Sequence, residues 1–242
     1  MADGPPPAAR SPDDVVGRFA HVDCWVFDLD NTLYPSGSDL WPKIDQRITL
    51  FMAELFGLDG ASSRALQKYY YERYGTTLRG LMSEHDIAPE TFLAFVHDID
   101  RSTLAPDHTL AAAIARLPGR KLILTNGSRD HAVKTAQALG VDKLFEDVFD
   151  IVAAGLVPKP EAETYERFFE AHGVAPHRAA MFEDIARNLV APKRRGMVTT
   201  LVRPRTGAAH AREDWELESG DEPHIDFVTD DLAAFLKAIV AS

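Results

Sequence analysis

The sequence has little cysteine, no long apolar run and fewer basic than acidic side chains. Its one cysteine, Cys24, cannot form a disulfide within the chain, which excludes a disulfide-stabilised extracellular scaffold. No stretch approaches the roughly 20 apolar residues that cross a bilayer. The 26 basic and 37 acidic residues give a net charge of −11, which disfavours nucleic acid polymers and anionic membranes as partners. We therefore expect a cytoplasmic protein that binds a small molecule.

The first residues, MADGPPPAARSPDD, have no apolar centre and include acids. They resemble neither a secretory signal nor a transit peptide. We expect residues 1–14 to be a flexible tail. The rest of the 242 residues can bury a full core, with or without a smaller second domain.

Short apolar runs alternate with helical patterns along most of the chain. The first run ends at Phe27, and further strands are expected at Lys121 to Thr125, Asp147 to Val152, Ala179 to Phe182, Val198 to Val202 and, more weakly, near Ile225. Helical segments that end in Gly140, Gly173 and Gly196 lie between them. This alternation predicts an α/β fold: a Rossmann-like parallel sheet with helices on both faces.

Residues 36–105 interrupt this alternation. Apolar side chains at helical spacing, such as Leu40, Ile44 and Ile48, continue without a clear strand. We predict an inserted, all-helical cap domain over 36–105. Residues 15–35 and 106–242 then form the α/β core.

Polar residues follow the first, second and fourth expected strands, and a lysine follows the third. They are Asp28 and Asp30, then Thr125 and Asn126, then Glu183 and Asp184, with Lys159 after the third strand in chain order. Because ligands of open parallel sheets bind beyond the carboxyl ends of the strands, we expect these groups to meet at one edge.

These groups suit a metal ion and a phosphate. The carboxylates of Asp28, Asp30 and Asp184 are ligands that Mg²⁺ prefers, and this ion commonly binds substrate phosphate as well. Lys159, the hydroxyl of Thr125 and the N–H groups of the following turn suit the phosphate itself. The sequence thus predicts a site where Mg²⁺ and a small phosphate monoester meet.

Four motifs carry a resemblance to a known family. DLDNT begins at Asp28, TNG at Thr125, KP at Lys159 and ED at Glu183, with the helical insertion between the first two. In this order they resemble the haloacid dehalogenase superfamily of phosphohydrolases. The longer stretches FDLDNTLYP, TNGSRDHA and FEDIARNL resemble the pyrimidine 5′-nucleotidase branch more narrowly.

The resemblance implies a role for each core residue. Asp28 would attack phosphorus to form an aspartyl-phosphate, and Asp30 would protonate the leaving oxygen and then take a proton from water. Mg²⁺ would be held by Asp28, the backbone carbonyl of Asp30 and Asp184, and Glu183 would orient a water of this ion. Thr125, Asn126 and Lys159 would bind the phosphate, Lys159 also pairing with Asp28, and Thr32 would support the turn.

Substrate choice is expected to depend on the insertion. The stretch YGTTLRG, between Gly75 and Gly80, is predicted to be a loop whose Thr77 and Arg79 contact the substrate. The cluster of four tyrosines before it points in several directions on a helix, which favours packing for most of them. The preference for a pyrimidine nucleoside 5′-monophosphate is implied by the resemblance alone.

Other functions are also compatible with some of these residues. A sugar phosphomutase, or a phosphatase for another small metabolite, would share all four motifs. A catalytically idle regulatory or binding protein would gain nothing from a nucleophile beside an acid. A dehalogenase of the superfamily is disfavoured, because its pattern lacks the acid at Asp30.

Overall fold

The computed structural model describes residues 12–204 and 222–241. Most of the predicted tail, residues 1–11, therefore lies outside the described residues. The strands form one parallel sheet in the order β3-β2-β1-β4-β5-β6. Their bounds are β1 Cys24–Phe27, β2 Arg120–Leu124, β3 Asp147–Phe149, β4 Ala179–Glu183, β5 Val198–Val202 and β6 Phe227–Thr229. The predicted Rossmann-like α/β fold is confirmed.

Helices surround this sheet and fill the predicted insertion. They are α1 Pro12–Phe19, α2 Leu40–Phe56, α3 Gly60–Tyr74, α4 Thr77–His85, α5 Pro89–Val96, α6 His108–Arg116, α7 Arg129–Leu139, α8 Ala162–His172, α9 Val190–Arg194 and α10 Leu232–Ile239. Residues 28–119 are all described and contain no strand. Helices α2 to α5 thus occupy the insertion, whose limits at 36 and 105 stay a prediction.

None of the helices in residues 12–204 and 222–241 combines the length and the apolar character needed to cross a membrane.

The central strand β1 is buried on both faces, as its uninterrupted apolar sequence predicts. Trp25 and Phe27 pack into the core on one face, while Cys24 and Val26 pack into the core on the other. The ring of Phe27 stacks on that of Phe182 from β4 at 4.8 Å. Each such large side chain contributes on the order of 2 kcal/mol through burial, so the strands that carry the site are rigidly held.

Two predicted elements differ from the structure. Strand β3 ends at Phe149, because the carboxylate of Asp150 accepts hydrogen bonds from the N–H groups of Arg129 and Ala153 and turns the chain. The helix expected to end at Gly196 is divided into a 3₁₀ segment, Ala186–Leu189, and the short α9. A proline at 192 provides no N–H for a continuous helix.

The stretch YGTTLRG is not a loop, and that prediction was wrong. Helix α4 begins at Thr77, and the hydroxyl of Thr76 caps it by accepting from the N–H of Arg79. Gly80 lies inside this helix, where a Cβ atom would come within 2.7 Å of the Tyr70 ring. Gly80 therefore permits two helices of the insertion to pack closely and does not mark a turn.

Candidate active site

The predicted core residues meet at the carboxyl edge of three adjacent strands, β2, β1 and β4. A cleft of about 190 Å³ opens between this edge and the helices of the insertion. The core residues that line it are Asp28, Asp30, Thr125, Asn126, Lys159, Glu183 and Asp184. Asp28 and Asp184 are 156 positions apart in sequence, yet both line the cleft. The topology of the sheet therefore brings distant side chains together.

Lys159 is the centre of a buried hydrogen-bond network. Its Nζ donates to Oδ1 of Asp28 at 2.6 Å, to Oε2 of Glu183 at 2.7 Å and to the carbonyl of Leu124 at 3.0 Å. Only 2 % of the residue is exposed. These three acceptors match the three donors of an ammonium group, so the geometry fixes a charged lysine beside Asp28.

Asn126 holds the backbone of Lys159 in place. Its Oδ1 accepts from the N–H of Lys159 at 2.8 Å, and its Nδ2 donates to the carbonyl of the same residue at 3.1 Å. The sequence prediction gave Asn126 a place in phosphate binding. In the structure its amide is engaged by this backbone, so its visible action is to position Lys159.

Three carboxylates lie next to this ammonium. Asp28, Glu183 and Asp184 each offer an oxygen within 4.8 Å of the others, and all three residues are buried. Three carboxylates and one ammonium give the cluster a formal charge of −2. A buried excess of negative charge with hard oxygen donors fits a divalent cation such as Mg²⁺.

Glu183 has distinct partners for its two oxygens. Oε2 accepts from Lys159, and Oε1 accepts from the N–H groups of Asp184 and Ile185 at 3.2 Å each. These bonds fix the turn after β4, from which Asp184 points into the cleft. Glu183 therefore orients both the lysine and the neighbouring carboxylate.

The charges of this cluster shift its protonation equilibria. Burial and the nearby carboxylate of Glu183 raise the pKa of Asp28 to about 7, although Lys159 acts in the opposite direction. Burial alone would lower the pKa of Lys159, but Asp28 and Glu183 raise it above its usual value. Lys159 thus stays charged, and a further cation beside Asp28 would favour its ionised form.

Asp30 has a different environment from Asp28. Its Oδ1 accepts a hydrogen bond from the hydroxyl of Tyr34 at 2.7 Å and lies 2.9 Å from Nε2 of His131. Burial opposes ionisation, but the contacts with His131 and Tyr34 favour the charged form and keep the pKa of Asp30 below its usual value. The two acids of the DLDNT motif are therefore electrostatically distinct.

Of the three threonines predicted to belong to the site, Thr125 and Thr77 line the cleft, and Thr32 does not. Oγ1 of Thr125 accepts from the N–H of Gly127 at 2.9 Å and stays at the edge of the cleft. Thr77 also lines the cleft, and its hydroxyl donates to the carbonyl of Gln67 at 3.3 Å. Oγ1 of Thr32 has no hydrogen-bond partner among residues 12–204 and 222–241, so support of the turn by this hydroxyl is not seen.

Arg79 points to another partner. Its Nη1 lies 2.9 Å from Oε1 of Glu161, and both side chains are largely exposed. Within the described chain, Arg79 is not among the residues that line the cleft. The guanidinium group of Arg79 is thus engaged in a surface ion pair, and its contact with substrate stays a prediction.

Sequence reasoning did not identify most of the residues that the insertion contributes to the cleft. Trp41, Asp45, Tyr71 and His97 line it, together with Asn188 from the core. Tyr71 belongs to the tyrosine cluster, which gave no indication of which ring faces the cleft. Asn188 is 3 % exposed, and its Oδ1 has no hydrogen-bond partner among the described residues. Asn188 belongs to the stretch FEDIARNL, but neither spacing nor composition could have identified the four positions of the insertion, because they depend on how α2, α3 and α5 pack.

Comparisons with known proteins agree with this arrangement. The family model of haloacid dehalogenase-like hydrolases matches residues 22–196. Phosphate metabolism protein 8 of Saccharomyces cerevisiae is 26% identical over an alignment of 196 residues, and the match covers 74% of this chain. The chain spans about three fifths of that relative, since the match covers 59% of its length.

Solved structures share the fold at low sequence identity. L-2-haloacid dehalogenase from Xanthobacter autotrophicus, with chloropropionic acid covalently bound, is 19% identical with a TM-score of 0.57, covering 91% of this chain and 99% of that one. An HAD phosphatase from Thermococcus onnurineus is 15% identical with a TM-score of 0.58, covering 91% and 98%. At these identities the two structures show the fold alone.

Proposed function

The chain belongs to the haloacid dehalogenase-like hydrolases, and from this premise we propose that it is a Mg²⁺-dependent phosphomonoesterase. The observation that supports this best is the buried pair of Asp28 and Lys159 beside the carboxylates of Glu183 and Asp184. A carboxylate at the floor of a cleft, next to a fixed cation, is suited to attack a phosphate.

In the first step, an oxygen of Asp28 forms a bond to phosphorus while the bond to the leaving oxygen breaks. Asp30 gives its proton to that oxygen. In the second step, Asp30 takes a proton from the water that attacks phosphorus, and phosphate and free Asp28 result.

The other residues bind and orient. Lys159 and the hydroxyl of Thr125 would neutralise and hydrogen-bond the transferred phosphoryl group, and Asn126 keeps Lys159 at its place. Asp28, Asp184 and the backbone carbonyl of Asp30 would hold Mg²⁺, which would supply positive charge between the nucleophile and the phosphate.

Asp30 also separates this proposal from a dehalogenase. Halide leaves without a proton, whereas an alkoxide needs one. Asp30 lines the cleft within hydrogen-bond reach of two groups that fix it. An acid held in this way favours ester hydrolysis over halide displacement.

We propose a pyrimidine nucleoside 5′-monophosphate as the substrate. The part of the cleft that belongs to the insertion has aromatic side chains, Trp41 and Tyr71, and polar ones, Asp45 and Thr77. Aromatic walls with a few polar groups suit a flat, hydrogen-bonding base. The narrower choice of pyrimidine over purine rests on the resemblance of the motifs.

Steady release of phosphate from 4-nitrophenyl phosphate tests the reaction. We expect release that requires Mg²⁺, stops on chelation and is lost in Asp28→Asn. Asp98→Asn is the matched control, because Asp98 is an exposed acid outside the cleft. Absence of release from the folded wild-type protein would overturn the proposal. Little free phosphate, together with isomerisation of a sugar phosphate that depends on a bisphosphate activator, would indicate a phosphomutase.

A panel of nucleotides and sugar phosphates tests the substrate. We expect UMP and CMP to be hydrolysed with higher kcat/KM than AMP, GMP or sugar phosphates. Equal values across the panel would contradict the pyrimidine preference while leaving the phosphomonoesterase in place.

A further inference from the structure

The carboxylate of Asp30 is held on one side only. The two hydrogen bonds that the described residues make to it both end on Oδ1, from Tyr34 and His131. Oδ2 lies towards Thr125 and Gly127: the point that a Cβ of residue 127 would occupy is 3.6 Å from Oδ2 and 3.3 Å from Oγ1 of Thr125. Of the two oxygens, Oδ2 is therefore the nearer to the turn at Gly127, which follows Thr125 and is expected to help bind phosphate.

The hydrogen bonds of His131 define its tautomer. Its Nδ1 lies 2.8 Å from Nη2 of Arg101, and a guanidinium group can only donate. Nδ1 therefore accepts, and the proton of the neutral ring is on Nε2, which donates to Oδ1 of Asp30. The ring carries no proton that it could release without losing this contact, so its action is to orient the carboxylate.

The surroundings of His131 keep the ring from turning. The side chain is fully buried on α7 and stacks on the ring of His97 at 4.4 Å and 12°. Arg101 is itself anchored on the carbonyls of His97 and Ile99 and on the hydroxyl of Thr135. Arg101 lies in the connection that leads from the helical insertion back to the core, so both parts of the chain define this ring.

We propose that His131 is a positioning residue for Asp30: oriented by Arg101, it fixes Oδ1 so that Oδ2 exchanges the proton with the leaving oxygen. This inference rests on the proposed phosphomonoesterase. It differs from simple core packing, because packing needs the volume of the ring but not an N–H at Nε2.

Substrates with different leaving groups distinguish the positioning of Asp30 from simple core packing. Nitrophenolate leaves without a proton, whereas the 5′-oxygen of UMP needs one. The value of kcat/KM reports the steps up to the aspartyl-phosphate and therefore includes this proton transfer. In His131→Leu we expect a loss on the order of a hundredfold for UMP and less than about fivefold for 4-nitrophenyl phosphate.

Two further variants decide whether the N–H is responsible. His131→Gln places an amide N–H near the position of Nε2 and should recover most of the UMP activity. His131→Asn is also polar, but its amide is too close to the backbone to reach Asp30, so it should behave like His131→Leu and serves if that variant does not fold. Circular dichroism and thermal unfolding identify the folded variants.

Equal losses on both substrates, or His131→Gln no better than His131→Asn, would overturn the inference. Both results presuppose a wild-type protein that hydrolyses the two esters. If the wild type releases phosphate from neither, the proposed function fails instead, and the two failures are therefore distinguishable.

Discussion

The ammonium group of Lys159 donates a hydrogen bond of 2.6 Å to Oδ1 of Asp28, and both side chains are buried. The same ammonium group bridges to Glu183 at 2.7 Å. A buried charge that loses its partner is costly, since water cannot replace the partner. This relationship therefore makes Lys159 important for stability as well as for the proposed chemistry.

Lys159→Met should destabilise the protein by about 3 kcal/mol, because it leaves the carboxylates of Asp28 and Glu183 facing each other. Adding Glu183→Gln should recover part of this loss by removing one of the two charges. Neither variant should recover phosphate release, since the cation beside the nucleophile is still absent. Denaturant unfolding and the phosphate assay measure the two effects separately.

Lys143→Met is the matched control for this change. Its side chain is 91% exposed and pairs with Asp142 at the surface, so we expect no measurable loss of stability. A Lys159→Met variant as stable as wild type would contradict the description of Lys159 as the charged partner of the buried carboxylates of Asp28 and Glu183.

Mg²⁺ should stabilise the folded protein directly. Asp28, Glu183 and Asp184 offer oxygens within 4.8 Å of one another, and a ligand that binds only the folded state at a hundred times its Kd adds about 2.7 kcal/mol. Asp184→Asn should remove most of the Mg²⁺-dependent rise in Tm. Asp98→Asn, with an 84% exposed side chain, should keep it. The same rise in Asp184→Asn as in wild type would contradict the metal site.

The core of this arrangement could be predicted because it follows from local patterns. The run before Asp28 is apolar on both faces of β1, which is typical of a central parallel strand. Parallel strands then bring the residues after Phe27, Leu124 and Glu183 to one edge. The catalytic roles assigned to these residues stay predictions.

The surroundings of Asp30 could not be predicted in this way. His131 lies in the stretch TNGSRDHA, but its contacts with Asp30 across 101 positions and with Arg101 across 30 are not visible in that stretch. Asn126 illustrates a second limit, since the sequence cannot indicate whether an amide faces a ligand or the backbone of Lys159. For α4, the cap residue Thr76 was visible in the sequence, but Gly75 and Gly80 suggested a loop.

Replacement of Arg79 by alanine should leave kcat and KM unchanged for every substrate. Its guanidinium group pairs with Glu161 at the surface, and exposed ion pairs of this kind contribute little. Thr77→Val should instead raise KM for UMP, because Thr77 lines the cleft. Steady-state kinetics on UMP compare the two, and a raised KM in Arg79→Ala with none in Thr77→Val would reverse the assignment.

The single thiol should be unreactive in the native protein. Cys24 is 3 % exposed, and burial raises its pKa to about 11. In mildly alkaline buffer the nucleophilic thiolate is therefore scarce and covered. A thiol-specific disulfide reagent should label native protein slowly and label one thiol per chain at once in denaturant. Rapid labelling without denaturant would contradict the burial of β1.

Gly119 offers a strict test of how β1 and β2 enter the sheet. Its φ is +78°, and a Cβ atom there would lie 2.1 Å from the carbonyl oxygen of Asp23, which accepts from the N–H of Arg120. Gly173 also has a positive φ, +59°, but a Cβ there would have no atom within 4 Å. Gly173→Ala should therefore lower the free energy of unfolding only by the left-handed backbone strain, about 1 kcal/mol.

Gly119→Ala should lower the free energy of unfolding by at least about 2 kcal/mol more, because the backbone has to move as well. Denaturant unfolding of the two variants measures this difference, and equal costs would mean that the two strands enter the sheet further apart than described.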